Sequence, residues 1–322
     1  MHPTKVEWGD RSWHPVTGCA AGCLYCKSRN SARRFAGDVR RNVGEKQRYT
    51  RDGELYVLDE PFIGENGMTL STPFGFAPTF HRYSLKRLED LKTPMNVLVS
   101  TNGELFGDWI GDKYLEEIFV EIAKYPDQRF LFQTKFPERY KGLNDKGILP
   151  QTDNCWFGYT VTSGSLRHPS FEAAHKYVVI EPLHGPIEPD IPEDIEWIVI
   201  GADTGRYKLK VDPKWEWIEE LVEQCYKASL PVLFLDSIKD IIPKDIMRKE
   251  KPKLMTEKRY SRAKEAMLFA WCRSCGCHER KNNMVGIQAK FERRQYPKPI
   301  GFLCRKCHLE MCREFGLDAE EL

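Results

Sequence analysis

Gly18-Cys-Ala-Ala-Gly-Cys-Leu-Tyr-Cys26 places Cys19, Cys23 and Cys26 within eight residues, with three residues and then two residues between them. Three thiolates can hold three corners of a [4Fe–4S] cube and leave the fourth iron open. Structural zinc usually takes four protein ligands and prefers paired cysteines, so a lone triplet fits zinc less well, although His14 could supply a fourth ligand. The spacing therefore favours an iron–sulfur cluster.

The same run resembles the cluster loop of the radical-SAM superfamily. In that superfamily the open iron chelates the amino and carboxylate groups of S-adenosylmethionine. An aromatic residue just before the last cysteine, here Tyr25, is also typical and lies against the adenine. The resemblance implies a [4Fe–4S] cluster and S-adenosylmethionine as cofactors, with a reductant such as flavodoxin or ferredoxin.

The cysteines of this 322-residue chain are concentrated towards its two ends, with only Cys155 and Cys225 between the clusters. Such clustering suits metal ligation in a reducing cytosol better than a disulfide framework. The sequence shows neither a signal peptide nor an apolar run of about 18 residues that could span a bilayer. We expect a cytoplasmic protein without a membrane partner, and the oligomeric state stays open.

A basic segment follows the cysteine run. The formal net charge is only +2, but residues 27–51 hold nine lysines and arginines against two acidic residues. Such a segment could carry a phosphate backbone past the active site, and the alternative is a solvated helix face. The candidate nucleic-acid contacts are Arg33, Arg34, Arg40 and Arg41.

Short apolar runs alternate with helical patterns, which predicts βα units and a parallel sheet. Eight strand candidates suggest a partial to complete TIM-like β/α barrel, and the resemblance implies that it is of the radical-SAM type. The predicted strands are Lys5–Trp8, Met68–Pro73, Met95–Thr101, Arg129–Thr134, Cys155–Thr162, Tyr177–Glu181, Trp197–Gly201 and Pro231–Leu235. The predicted helices are Tyr83–Leu91, Lys113–Tyr125, Pro169–His175 and Trp215–Ala228.

Five predicted strands end in polar residues, and the carboxyl ends of barrel strands form the rim that carries active sites. A single polar residue there is more often a turn or cap, but five ends facing one mouth favour a site. We expect Asn102 and Lys135 to face the ribose or carboxylate of S-adenosylmethionine, and Glu181 to face its amino group.

Two further pairs of cysteines, Cys272 with Cys275 and Cys304 with Cys307, lie near the end of the chain. Four thiolates in such pairs make a closed tetrahedral zinc site, and an auxiliary iron–sulfur cluster is the alternative. We predict a radical-SAM barrel over residues 1–236, a basic connecting segment over 237–268 and a small four-cysteine zinc-binding module over 269–322.

Residues 6–236 resemble an uncharacterised family that is common in phages and bacterial genomes and is related to the radical-SAM superfamily. That family usually has a longer gap between its first two cysteines, and the Gly-Gly-Glu element of many radical-SAM enzymes is not visible here. The matching segments are Val6–Asp10, Trp13–Cys19, Asn102–Phe106, Phe132–Arg139, Asn154–Gly158, Ile180–Leu183, Gly185–Ile187 and Glu196–Gly201.

Together these features predict an enzyme that generates a 5′-deoxyadenosyl radical and abstracts hydrogen from its substrate. The basic segment and the zinc-like module favour a nucleic acid, whose base would be modified, rearranged or repaired after being flipped into the barrel. One alternative is a radical-SAM enzyme acting on a peptide or small molecule, with an auxiliary cluster in the tail. Another is a non-catalytic zinc protein that binds nucleic acid.

Overall fold

The computed structural model describes residues 2–4, 6–91, 93–205, 210–252, 269–271, 278–280, 284–287, 301–304 and 306. The chain divides into two compact units, Met1–Pro252 and Lys253–Leu322. Residues 237–252, which the sequence assigns to the connecting segment, pack within the first unit. There, Phe234 N donates to Arg248 O (3.1 Å) and Trp197 Nε1 donates to Glu250 O (3.0 Å).

The first unit is a mixed α/β fold. In chain order its strands are β1 (His2–Pro3), β2 (Arg11–Trp13), β3 (Val16–Thr17), β4 (Thr50–Asp52), β5 (Leu55–Leu58), β6 (Thr79–His81), β7 (Asn96–Val99), β8 (Arg129–Thr134), β9 (Cys155–Thr160), β10 (His175–Ile180), β11 (Ile198–Ile200) and β12 (Val232–Phe234). Its α-helices are α1 (Lys27–Phe35), α2 (Val39–Gly44), α3 (Asp112–Ala123), α4 (Glu138–Asp145) and α5 (Glu219–Lys227). Its 3₁₀ helices are Lys46–Arg48, Arg82–Asp90, Trp215–Trp217 and Asp236–Ile238.

The main sheet has the order β1-β2-β7-β8-β9-β10-β11-β12. Seven of its strands, β2 and β7 to β12, are parallel and follow one another in chain order, as in a TIM-like half-barrel. β1 is antiparallel to β2 at one edge. Near the two edges Glu7 accepts from Asp236 N (2.8 Å) and from Lys249 Nζ (2.7 Å), so one side chain links the segments before β2 and after β12.

Six of the eight predicted strands are confirmed as β7 to β12, and two predictions are wrong. Lys5–Trp8 precedes the first parallel strand, and its apolar character reflects burial of Trp8 against Tyr177 and Trp197. Met68–Pro73 lies in a loop with one isolated bridge, Ile63 to Thr69. The apolar residues of both segments therefore make packing or loop contacts. The sequence pattern of such a segment is the same as that of a short buried strand, so periodicity alone does not distinguish the two.

The helix predictions have mixed outcomes. Lys113–Tyr125 is confirmed as α3, whose buried face packs against the sheet. Tyr83–Leu91 corresponds to a 3₁₀ helix, and Trp215–Ala228 to a short 3₁₀ turn followed by α5. The prediction for Pro169–His175 is wrong, because this stretch is irregular and His175 already begins β10.

A four-stranded side sheet, ordered β3-β6-β5-β4, packs beside the main sheet. Its first strand, β3, leads directly into the cysteine run, and β3 pairs with β6. The side sheet thus ties the cysteine run to the barrel through backbone hydrogen bonds. Within the described residues, no helix is long and apolar enough to cross a membrane.

The second unit contains two antiparallel pairs, β13 (Phe269–Trp271) with β14 (His278–Arg280) and β15 (Met284–Ile287) with β16 (Gly301–Cys304). Cys304 is the last residue of β16. The other three predicted zinc ligands, Cys272, Cys275 and Cys307, lie outside the described residues. The zinc site stays a prediction.

Candidate functional site

A cavity of about 370 Å³ opens at the carboxyl ends of the parallel strands. We call it the cysteine cavity because Cys19, Cys23 and Cys26 line it. The polar ends of five strands, β7 to β11, also line it, which confirms that these ends face one mouth. Lys135 and Glu181 are among these strand-end residues, whereas Asn102 is not.

Two glycines hold the cysteine run against the end of β7. Gly18 has φ +80°, and a Cβ there would lie 2.2 Å from Ala77 O. Gly18 N donates to Asn102 O (3.0 Å) and Glu104 N donates to Gly18 O (3.0 Å). A Cβ on Gly103 would lie 2.7 Å from Gly18 O, so the two backbones approach too closely for any side chain. The position of the run is therefore fixed by backbone contacts.

The three cysteines are partly exposed on this run. Cys26 forms the N-cap of α1, where its Sγ accepts from Arg29 N (3.4 Å). Burial raises the pKa of Cys19 to about 11, and the carboxylate of Glu104 contributes in the same direction. With this pKa the Cys19 thiol stays protonated at neutral pH.

No three His, Cys, Asp or Glu side chains in the described part of the chain are placed so that they could hold a metal ion. A tetrahedral zinc would need ligands converging on one point at ~2.3 Å for sulfur, whereas a cubic cluster takes each thiolate on a different iron. His14 does not line the cysteine cavity. The arrangement therefore does not bring His14 to the cysteines as a fourth zinc ligand.

Tyr25 lies between a lysine and a histidine at the cavity wall. The Lys135 Nζ lies 5.0 Å from the centre of the Tyr25 ring, and the His184 ring meets Tyr25 edge-on with centroids 5.2 Å apart. Burial opposes a charge on Lys135, yet Tyr25 and Cys23 beside it raise its pKa above the ordinary value. Lys135 is thus a cation at neutral pH, next to the cysteine run.

Glu104 is a buried carboxylate that the sequence did not single out. It accepts from Thr134 Oγ1 (2.7 Å), Phe106 N (3.0 Å) and Lys135 N (3.2 Å). Burial raises the pKa of Glu104, and these three hydrogen bonds act against that rise. Glu104 fixes the backbone of Lys135, so it positions a cavity residue. The sequence feature that could have identified Glu104 is its position directly after Gly103, just beyond a strand.

Glu181 faces the same cavity from the end of β10. Burial raises the pKa of its carboxyl group, while the nearby cations Lys27 and Lys135 lower it. Asp203 lies further round the rim and accepts from His184 Nε2 (3.3 Å) and Gly205 N (2.6 Å). The cavity therefore presents both carboxylates and ammonium groups, as a zwitterionic ligand requires.

Two buried donors at this cavity have no hydrogen-bond partner among the described residues. They are the indole N–H of Trp8 and the Nε of Arg29, and both residues line the cavity. A buried donor left unsatisfied costs about 1–3 kcal/mol, which an acceptor on a bound group would recover. The donor set thus fits a ligand that carries hydrogen-bond acceptors.

A second cavity of about 650 Å³ adjoins the first and shares Val6 and Thr101 with it. Asn102 lines this second cavity, and its amide lies 3.4 Å from His14 Nε2. The structure therefore separates Asn102 from the other proposed cofactor contacts Tyr25, Lys135 and Glu181. The chain turns sharply after β7, with φ +56° at Ser100, and this turn carries Asn102 away from the cysteine cavity.

The four predicted nucleic-acid arginines lie on or next to the helix that leaves the cysteine run. Arg33 and Arg34 occupy the last turn of α1, and Arg40 and Arg41 lie in α2. Arg41 forms ion pairs with Glu45 and Glu65. Arg33, Arg34 and Arg40 are exposed and have no ionic partner in the described part of the chain.

One comparison with known proteins matches the chain to a protein family. Residues 3–253 match the family described as protein of unknown function DUF5131. No curated protein and no solved structure matches the chain. The matched range covers the half-barrel, the side sheet and the cysteine run. The chain therefore belongs to the DUF5131 family.

Proposed function

We propose that this protein is a radical-SAM enzyme. One observation carries the proposal: three cysteines at the radical-SAM spacing line a single cavity at the carboxyl ends of the parallel strands of a half-barrel. Active sites of β/α barrels lie at this face of the sheet. The cavity volume, about 370 Å³, falls within the range of roughly 300–1,000 Å³ for small-molecule sites.

Cys19, Cys23 and Cys26 would hold a [4Fe–4S] cluster, with S-adenosylmethionine beside it. When bound, a cluster reduced by an electron donor would pass one electron to the sulfonium, whose C–S bond would break to release methionine and leave a carbon-centred radical that can abstract hydrogen. Three cations, Lys27, Arg29 and Lys135, line the cavity and would offset the negative charge of a thiolate-ligated cluster.

The remaining cavity residues would bind and orient the cofactor. Lys135 suits the carboxylate of S-adenosylmethionine, and Glu181 suits its amino group, because each presents the opposite charge. Tyr25 offers an aromatic edge for the adenine. The buried walls, including Trp8 at 2 % exposure, would keep water from a reactive intermediate.

For the substrate we propose a nucleic acid. α1 leaves the cysteine run at Cys26 and ends with the exposed Arg33 and Arg34, and Arg40 follows in α2. Phe35 is 69 % exposed beside these arginines. Cations that contact phosphates, interleaved with an aromatic ring that can stack on a base, are the usual elements of a nucleic-acid surface.

The test is anaerobic reconstitution followed by metal analysis and S-adenosylmethionine cleavage. The proposal predicts about four irons for one cluster at Cys19, Cys23 and Cys26, plus one zinc in the C-terminal module. With dithionite and S-adenosylmethionine the protein should release 5′-deoxyadenosine even without substrate. Cys23→Ala should lose both iron and cleavage, while the matched thiol control Cys225→Ala, on α5 away from the cavity, should keep both.

Other metal contents would select the alternatives. About eight irons would favour a second cluster in the C-terminal module and a peptide or small-molecule substrate. Zinc alone would leave a non-catalytic zinc protein. Undiminished cleavage in Cys23→Ala would overturn the assignment of the cluster to this cysteine run.

A further inference from the structure

The second cavity has a lining rich in hydrogen-bond donors. Serine and threonine hydroxyls, two imidazoles, an amide and the guanidinium of Arg87 line it, and no carboxylate is found among its described lining residues. A cavity with many donors, one cation and no competing anion is suited to an oxyanion. The cysteine cavity differs, because Glu104, Glu181 and Asp203 line it.

One wall of the second cavity is held rigid and neutral. Thr17 Oγ1 donates to Ser71 O (3.1 Å), so it accepts from His81 Nε2 at 2.8 Å. His81 Nδ1 is then left to accept from the Tyr83 hydroxyl (3.2 Å). Burial lowers the pKa of His81 to about 3, so the imidazole is uncharged at neutral pH. These uncharged groups line the cavity, and Arg87 contributes a positive charge to it.

Two side-chain donors on the 3₁₀ helix Arg82–Asp90, in Ser84 and Arg87, line the second cavity. Ser84 is 4 % exposed, lines the second cavity, and its hydroxyl has no hydrogen-bond partner among the described residues. Arg87, one turn further along the same 3₁₀ helix, is exposed, and its guanidinium lies 5.5 Å from the centre of the Tyr83 ring. It has no ionic partner in the described part of the chain. A buried unsatisfied hydroxyl and an unpaired guanidinium on one wall are a matched set for a phosphate.

We propose that the second cavity binds a phosphate group, with Arg87 and Ser84 as its ligands. The site adjoins the cysteine cavity through Val6 and Thr101. Asn102 lines it and also holds the cysteine run, since its carbonyl accepts from Gly18 N. If the proposed function is right, this phosphate belongs to the substrate and anchors it beside the cluster; the phosphate site itself does not depend on that function.

The experiment is calorimetric titration of the full chain, without added iron or S-adenosylmethionine. The probes are thymidine 5′-monophosphate, thymidine and a short oligothymidylate. A thymine base avoids competition from adenine at the cysteine cavity. We expect the monophosphate to bind and thymidine to bind more weakly. Binding of the oligothymidylate as well would identify a strand as the source of the phosphate, whereas binding of the monophosphate alone would identify a free nucleotide.

Two variants and one control carry the test. Arg87→Gln should weaken monophosphate binding roughly tenfold to hundredfold, because a charged hydrogen bond is removed. Lys86→Gln removes the same charge from the neighbouring exposed position, which does not line the cavity, and should leave binding unchanged. Ser84→Ala should weaken binding without lowering the melting temperature of the free protein, since the deleted hydroxyl is unsatisfied there.

The outcomes separate this inference from the proposed function. Absence of monophosphate binding, or equal affinity in wild type, Arg87→Gln and Lys86→Gln, would overturn the phosphate site even if the protein cleaves S-adenosylmethionine. Selective loss of binding in Arg87→Gln and Ser84→Ala would support the site even in a protein that binds no iron.

Discussion

Replacing Gly103 by alanine tests whether the contact between two backbones positions the cysteine run. The added Cβ would lie 2.7 Å from Gly18 O and 2.9 Å from Gly18 N. Ordinary contact begins at 3.4 Å, so the two segments must move apart by about 0.7 Å. The clash is with backbone atoms, so no side-chain rotation can relieve it.

The magnitude follows from the hydrogen bonds at this contact. Gly18 N to Asn102 O and Glu104 N to Gly18 O are both 3.0 Å, and a shift of about 0.7 Å takes them beyond the normal range. Each bond contributes about 1 kcal/mol net, and overpacking adds roughly 1–3 kcal/mol. We expect Gly103→Ala to lower the free energy of unfolding by about 3–5 kcal/mol.

The assay is urea unfolding followed by tryptophan fluorescence, together with iron content after anaerobic reconstitution. Gly142→Ala is the matched control, because nothing lies within 4 Å of a Cβ at that position in α4. Alanine inside a helix should stabilise by roughly 0.5–1 kcal/mol. Gly103→Ala should lose both stability and iron, whereas Gly142→Ala should keep its iron. Wild-type stability and iron in Gly103→Ala would refute the reasoning.

The remaining predictions concern charge. Replacing Arg33, Arg34 and Arg40 by glutamine should flatten the salt dependence of oligonucleotide binding, by roughly 0.7–0.9 in log–log slope for each phosphate that the protein no longer neutralises. Arg41→Gln should change this slope little, because the Arg41 cation is already paired with carboxylates. Equal slopes in all proteins would show that the arginines do not contact the oligonucleotide. His81, with a pKa of about 3 in the fold against 6.5 ordinarily, stays unprotonated where the unfolded chain takes up a proton. Stability should therefore fall between pH 6.5 and about 3, and His81→Gln should make that fall shallower by about 1.4 kcal/mol per pH unit. Unfolding curves in urea across this pH range measure it, and parallel curves for both proteins would contradict the assignment.

The sequence alone determined the features that depend on local spacing. Three cysteines within one short run must share one loop wherever the chain carries it, so Cys19, Cys23 and Cys26 could be grouped directly. The apolar face of α3 follows from apolar residues spaced at the helical period of about 3.6, and the six confirmed strands follow from short apolar runs. Both are local sequence patterns. The polar ends of successive parallel strands also had to meet, since such strands run in the same direction.

Tertiary structure decided which side chains share a cavity. Asn102 and Glu104 are two residues apart, yet Asn102 lines the second cavity and Glu104 lines the cysteine cavity. The reason is the turn that begins at Ser100, where Gly103 N donates to Ser100 O (2.9 Å). The bond between Thr17 and His81 joins residues 64 positions apart. Arg41 pairs with Glu45 one helical turn away, but it also pairs with Glu65 from another loop, which no local charge pattern indicates. Such contacts arise from how loops approach after the sheet forms, so the spacing of residues along the chain does not encode them.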